Sequence, residues 1–112
     1  KTDKIISFNL SLPTAIGSFK LFIKNVKIPV KTASVNAYIS EMLLRGSIYT
    51  GVDTNFIDDA TDLQSQQLKE YTNAAADDVS TYQQISVILF CTWTVTGGEL
   101  AFLNPLVECY YA

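Results

Sequence analysis

The residues of this chain that could do chemistry are carboxylates and two cysteines, since histidine is absent. Without histidine, Ser-His-Asp and Cys-His catalysis are excluded, and the commonest metal ligand is missing. Two carboxylate clusters, Asp58 with Asp59 and Asp62, and Asp77 with Asp78, could bind Ca²⁺ or act as acid and base. Neither has the spacing and turn glycine of a calcium loop, and acidic turns flanking a surface helix explain both. The sequence therefore predicts no catalytic residue, no metal site, no cofactor and no enzymatic activity.

The two cysteines, Cys91 and Cys109, each lie in a strongly apolar stretch. The Gly97-Gly98 pair between two apolar runs predicts a two-residue hairpin turn, which sets Cys91 opposite Asn104. Cys109 is then about four residues, of ~3.3 Å each, away from the position that faces Cys91. That offset exceeds the Cα separation that a disulfide allows, so we predict two buried free thiols.

The net charge of −3 hides a strong polarity along the chain. Residues 1–45 hold seven basic and two acidic side chains, whereas residues 46–112 hold one basic and nine acidic ones. Either both sets are solvated faces of one fold, or the basic surface of one copy contacts the acidic surface of the next. The basic surface would comprise Lys20, Lys24, Lys27 and Lys31, and the acidic surface Asp58, Asp59, Asp62, Asp77 and Asp78.

Other kinds of partner have weaker support in the sequence. Arg45 is the only arginine, and arginine makes most base-specific contacts, so sequence-specific nucleic-acid binding is not expected. The longest apolar run, residues 87–91, is far shorter than the ~20 residues that span a bilayer, so no transmembrane segment is predicted. Tyr110 and Tyr111 either dock on a neighbouring subunit or close the sheet of their own domain. The first residue is Lys1 rather than Met, which indicates processing or trimming.

Apolar alternation predicts four strands, over residues 4–12, 18–30, 85–95 and 99–112. In the second strand the apolar phase shifts by one position, which indicates a bulge around Lys24 and Asn25. Pro29 and Pro105 indicate strands at sheet edges, because proline cannot donate a hydrogen bond to a ladder.

The middle of the chain has a different period. Apolar residues recur at helical spacing over residues 34–45, which predicts a helix. Residues 62–76 are rich in Gln, Ala, Lys and Glu, and are interpreted as a surface helix or a long exposed loop. The resulting fold class is α+β, a single domain over residues 1–112, with an antiparallel sheet of four to five strands and one or two helices inserted centrally. The alternative is a mainly-β sandwich or jelly roll, with residues 33–45 as another strand.

These features favour a non-enzymatic structural protein that self-associates, such as a capsid, decoration or filament subunit of a virus or cell surface. A homo-oligomer would form through the complementary charged surfaces or through strand edges. The low charged fraction of 17% favours a virion or extracellular location. The alternative is a small binding module for an apolar ligand or a glycan, built around Trp93, Phe90, Phe102 and the tyrosines.

Overall fold

The computed structural model describes residues 2–112, and in that range the chain is all-β, without a helix. The strands are β1 (Thr2–Asn9), β2 (Ala15–Ile16), β3 (Phe19–Thr32), β4 (Ala37–Ser47), β5 (Thr54–Asp59), β6 (Gln67–Asp78), β7 (Gln84–Trp93), β8 (Ala101–Phe102) and β9 (Leu106–Tyr111). They form two antiparallel sheets. No segment of residues 2–112 provides a helix long and apolar enough to cross a membrane.

The first sheet has four strands in the order β1-β7-β4-β5. β7 lies in its interior, paired along its length with β1 on one side and β4 on the other. This agrees with its sequence, which is the most regular apolar alternation in the chain and carries β-branched residues that suit a strand covered on both sides.

The second sheet is arranged around β3, the longest strand. β6 pairs with one edge of β3, and the short strands β8 and β9 pair with the other. β2 forms a tight hairpin with the start of β3. The predicted bulge at Lys24 and Asn25 is confirmed, because the register of β3 shifts between Ile23 and Asn25 against both β6 and β9.

The two sheets pack face to face and share one hydrophobic core. Alternate residues of β3, β4 and β7 point into the space between the sheets, where period-2 alternation places them on one face. The fully buried core side chains include Leu21, Ile23, Ile28, Ile39, Met42, Leu44, Ile85 and Leu89.

The prediction of an α+β fold is wrong, and the mainly-β alternative agrees with the structure. Most of residues 34–45, predicted as a helix, lie in β4, which spans Ala37–Ser47. The cause is a bulge at Ser40, since the register passes from Ile39 opposite Cys91 directly to Glu41 opposite Phe90. The extra residue sets Ile39 and Met42 on the same face three positions apart, which imitates the i, i+3 spacing of a helix.

The predicted surface helix or loop at residues 62–76 is also wrong over most of its length, because residues 67–78 form β6. β6 lies at the edge of its sheet, and only Tyr71 and Asn73 are buried in it. A strand with so few inward-facing apolar residues shows no alternation that sequence could reveal.

The Gly97-Gly98 pair does not form the predicted hairpin. After Trp93 the chain leaves the first sheet, and β8 and β9 pair with β3 in the second. Cys91 and Cys109 consequently lie on different sheets, and the prediction that both thiols are free is confirmed, with Cys109 only half-buried. The pKa of each thiol is raised by burial, that of Cys91 to about 11.

Pro29 lies inside a sheet rather than at the predicted edge. It is part of β3, which has strands on both sides. The Pro29 carbonyl accepts a hydrogen bond from Leu103 N, so its nitrogen faces the same side, where β8 has ended at Phe102 and β9 begins only at Leu106. The gap between these short strands accommodates a residue that cannot donate.

Candidate functional site

A concavity lies on the outer face of the four-stranded sheet, with a volume of about 570 Å³. Carboxylates and aromatic rings line it together, from strands β1, β4 and β7 and from the β5–β6 connection. The lining includes Asp3, Ile5, Tyr38, Glu41, Asp62 and Phe90. Asp58 of β5 lies on the same face, opposite Leu43 of β4 and diagonal to Glu41. We call Asp3, Glu41, Asp58 and Asp62 the acidic face.

The bulge at Ser40 shapes this concavity. Its hydroxyl donates to the Phe90 carbonyl at 3.1 Å. The neighbouring Thr92 hydroxyl lies 3.1 Å from Ser40 Oγ and donates to the Asp3 carboxylate at 2.8 Å. These bonds hold three strands together at the point where the ladder is interrupted, and they fix the position of Asp3.

Glu41 and Asp58 form a close pair of carboxylates on the acidic face. A hydrogen bond with Asp58 raises the pKa of Glu41, burial and the negative charge of Asp58 raise it further, and the Arg45 charge opposes them. The Arg45 guanidinium is partly engaged elsewhere, because its Nε donates to Asn55 Oδ1 at 2.9 Å. The pair therefore carries negative charge that an external cation would stabilise.

The lysine strip, Lys20, Lys24, Lys27 and Lys31, lies along β3 on the outer face of the other sheet. Lys20 Nζ lies 3.7 Å from Asp78 Oδ2, and Lys27 Nζ lies 3.9 Å from Glu70 Oε2. Among residues 2–112, neither Lys24 nor Lys31 has a carboxylate within 4.0 Å. The two outer faces of the sandwich thus carry the lysine strip and the acidic face on opposite sides.

The five carboxylates predicted to form one acidic surface are separated. Asp58 and Asp62 join the acidic face. Asp59 turns toward the second sheet, where its carboxylate accepts from Thr61 N at 3.1 Å and lies near the Tyr71 hydroxyl. Asp77 and Asp78 are the last two residues of β6, at the end far from Gln67. There Asn73 donates to Asp77 at 3.0 Å, and Asp78 faces Lys20.

Asp3 and Glu41 are members of the acidic face that sequence reasoning missed. Asp3 and Ile5 are two positions apart in β1, so the local sequence indicates that both side chains lie on the same face of the strand. Asp3 lies close to Glu41 because β1 and β4 both pair with β7, whose residues are more than 40 positions away from either residue in the sequence. No local pattern encodes that pairing.

The two terminal tyrosines have different surroundings. The Tyr111 hydroxyl donates to the Pro13 carbonyl at 2.6 Å, and its ring packs against the core, so it closes its own domain. Tyr110 stacks on Phe22 with ring centroids 5.3 Å apart, and it is 44% exposed on the same outer face as the lysine strip.

The aromatic residues of the predicted ligand platform do not converge. The Trp93 indole donates to the Gly98 carbonyl at 3.1 Å and packs against the core. Phe102 makes an edge-to-face contact with Phe8, with centroids 6.4 Å apart. Phe90 faces outward and lines the concavity with Tyr38.

In the part of the chain that the structure describes, no group of three or more Cys, Asp or Glu residues is arranged to hold a metal ion. The arrangement can instead form ionic, apolar and backbone contacts with another molecule. No family model matches this chain, and neither curated protein sequences nor solved structures include a significant match to it.

Proposed function

We propose that this chain is a non-enzymatic structural protein that assembles with copies of itself, as a capsid, decoration or filament subunit of a virus or cell surface. The observation that carries the proposal is that the lysine strip and the acidic face lie on opposite outer faces of the sandwich, while Lys24 and Lys31 have no carboxylate within 4.0 Å among residues 2–112. The lysine strip of one copy would contact the acidic face of the next.

The ion pairs within one copy leave the lysine strip available. Lys24 and Lys31 lack a carboxylate partner among residues 2–112, and the contacts of Lys20 and Lys27 are long and exposed to water. Exposed pairs of this kind contribute about 0–1 kcal/mol, so exchanging them for carboxylates of a second copy costs little. The Glu41 and Asp58 pair, whose negative charge Arg45 offsets only in part, would gain a second cation from the neighbouring copy.

Apolar side chains accompany the charges on both faces. Ile5 is 65% exposed beside the acidic face, and Leu68 and Leu106 are exposed beside the lysine strip, flanking Pro29 and Lys27 on neighbouring strands. Burying such side chains between copies would add a contribution of about 25 cal/mol per Å². Because the two faces are on opposite sides, the contact is heterologous, and repetition produces a ring or a filament.

Charge reversal tests the proposal. The double variant Lys24→Glu with Lys31→Glu should lower the solution mass measured by light scattering at micromolar concentration. Glu41→Lys with Asp58→Lys should do the same, and mixing the two variants should restore assembly. Lys4→Glu and Asp53→Lys each reverse one charge outside both faces and should leave the mass unchanged. Assembly through these faces should also weaken in about 0.5 M salt. An unchanged mass in both double variants would refute the charged contact.

The concavity supports a second candidate function, a binding module for a glycan. An aromatic ring such as Phe90 can stack on a sugar, and the surrounding carboxylates can accept its hydroxyl groups. This function requires a monomer in low and high salt whose binding on a glycan array is abolished by Phe90→Ala. An assembly that binds no glycan on the array and is unchanged by Phe90→Ala would exclude the glycan-binding function.

A further inference from the structure

β1 has the most regular free edge of the strands that border the two sheets. It pairs with β7 over eight consecutive residues without a register shift and contains neither glycine nor proline. The other borders are interrupted: β5 and β6 contain register shifts, and β9 has only six residues and follows Pro105. Edges of the interrupted kind resist pairing with another chain, whereas a regular edge invites it.

The backbone groups at this edge can be assigned from one hydrogen bond. Leu10 N donates to Ile85 O at 2.8 Å, which continues the β1–β7 ladder. In an antiparallel strand alternate residues direct both backbone groups to the same side, so the even-numbered residues of β1 bond to β7. Asp3, Ile5 and Ser7 therefore direct N–H and C=O toward the free edge, and their side chains lie on the outer face.

We infer that β1 pairs antiparallel with the β1 of a second copy about a two-fold axis at Ile5, which joins two four-stranded sheets into one of eight strands. This inference rests on the proposed self-association, but it uses a different surface from the charged faces. It commits to a second copy of this chain as the partner and to an isologous contact.

The register of the β1–β1 pairing is determined by which side chains of the two copies lie opposite each other. With the axis at Ile5, the two Ile5 side chains face each other, and Asp3 of each copy faces Ser7 of the other, so that the hydroxyl can donate to the carboxylate. An axis at Asp3 or Lys4 would set like charges opposite each other. An axis at Ile6 would set Thr2 opposite Leu10, which lies beyond the end of the strand.

Exposure of β1 also fits this pairing. Ile5 is 65% exposed and Ile6 is 37% exposed, and the five-stranded sheet leaves the inner side of β1 largely uncovered. Lys4 lies on that inner side and is exposed, so its ammonium stays in water when the edge is paired. The pairing therefore buries isoleucine without burying a charge.

Disulfide trapping tests the register. In Ile5→Cys the two introduced thiols lie directly opposite, about 5.5 Å apart at Cα, which suits a disulfide. In Ile6→Cys they are diagonal neighbours about 7–8 Å apart, and in Ser7→Cys they are further still. Mild oxidation should therefore convert Ile5→Cys to a covalent dimer as its main product. Ser7→Cys and the unaltered chain, which retain Cys91 and Cys109, should remain uncrosslinked.

Two measurements separate this inference from the charged contact. The edge dimer should persist in about 0.5 M salt, and Lys24→Glu with Lys31→Glu should leave the Ile5→Cys cross-link unchanged. Ile5→Pro removes an N–H at the free edge but no β1–β7 hydrogen bond, so it should abolish the dimer while circular dichroism stays unchanged. Preferential cross-linking of Ile6→Cys or Ser7→Cys, or a monomer in high salt with no Ile5→Cys cross-link, would overturn the inference.

Discussion

β4 and β6 each contain a bulge, and the two bulges direct a polar side chain to opposite sides of their sheets, outward in β4 and inward in β6. In β4 one extra residue, Ser40, turns outward, and its hydroxyl bonds to neighbouring strands at the surface. In β6 the four residues 73–76 lie opposite Lys24 alone, and Asn73 turns inward. Its amide donates to the Ile23 carbonyl at 3.1 Å. An outward bulge can shape a surface, whereas an inward one needs a polar side chain that replaces the missing ladder bonds.

Of the substitutions in the two bulges, Asn73→Ala should have the largest effect on stability. The substitution removes the buried amide and leaves the Ile23 carbonyl without that donor, so it should reduce the free energy of unfolding by about 2–3 kcal/mol. Urea denaturation measures the change. Thr72→Ala, at the exposed position beside it, should have almost no effect. Ser40→Ala, in the outward bulge, should cost only about 1 kcal/mol because water can replace its hydroxyl. Equal losses for Asn73→Ala and Ser40→Ala would contradict the distinction.

Ala76→Gly, in the same bulge of β6, should have a smaller effect on stability and of the opposite sign, a gain rather than a loss. Ala76 has a φ of 46°, in the left-handed region that disfavours a residue with a Cβ. Glycine relieves that strain, and after its greater freedom in the unfolded chain is deducted, the gain in stability should be about 0.5–1 kcal/mol. Ala75→Gly is the matched control, since Ala75 lacks a positive φ and should lose stability. A loss in both variants, measured by thermal denaturation, would show that the turn at Ala76 is not strained.

The same two bulges explain which parts of the fold could be predicted from sequence. β1, β3 and β7 keep a recognisable alternation, and the one-residue shift in β3 correctly indicates its bulge at Lys24. In β4 the shift imitates a helix because apolar residues occupy both faces: Leu43 is buried on the outer face and Met42 in the core. In β6 the inward position is taken by Asn73, which a hydrophobic pattern does not count.

The candidate site was predictable only in part for a related reason. The lysine strip lies within one strand, and the bulge that the apolar phase shift indicates brings Lys20 and Lys24 to the same face as Lys27 and Lys31, so the local sequence was sufficient to group its members. The acidic face combines residues of four segments, and its grouping depends on strand order and register between positions distant in sequence. The free edge of β1 is likewise a property of the sheet order, because no local feature marks a strand as the first in its sheet.

Asp59 of β5 and Tyr71 of β6 are in contact across the two sheets, just before the bulge of β6. Removing this contact should have the smallest effect on stability, and it tests how the two sheets are joined. Despite the opposing effect of burial, hydrogen bonds from Thr61 and Tyr71 and the charge of Lys69 lower the pKa of Asp59 below its ordinary 3.8. The pKa of Tyr71 is raised, mainly by burial and also by Asp59, so the tyrosine remains a donor throughout the neutral range.

A lowered carboxyl pKa stabilises the fold above the unfolded-state value near 3.8, and the contribution is lost as the pH falls through the folded-state pKa. Asp59→Asn should therefore reduce stability at pH 7, by less than about 1 kcal/mol for a group near the surface, and the difference from the unaltered chain should diminish as the pH falls below 3.8 and through the folded-state pKa. The raised pKa of Glu41 acts in the opposite direction, since its repulsion from Asp58 is relieved in acid, but it is common to both chains and cancels. Urea denaturation across this pH range measures the difference, and a difference independent of pH would exclude the ionised Asp59 as a link between the sheets.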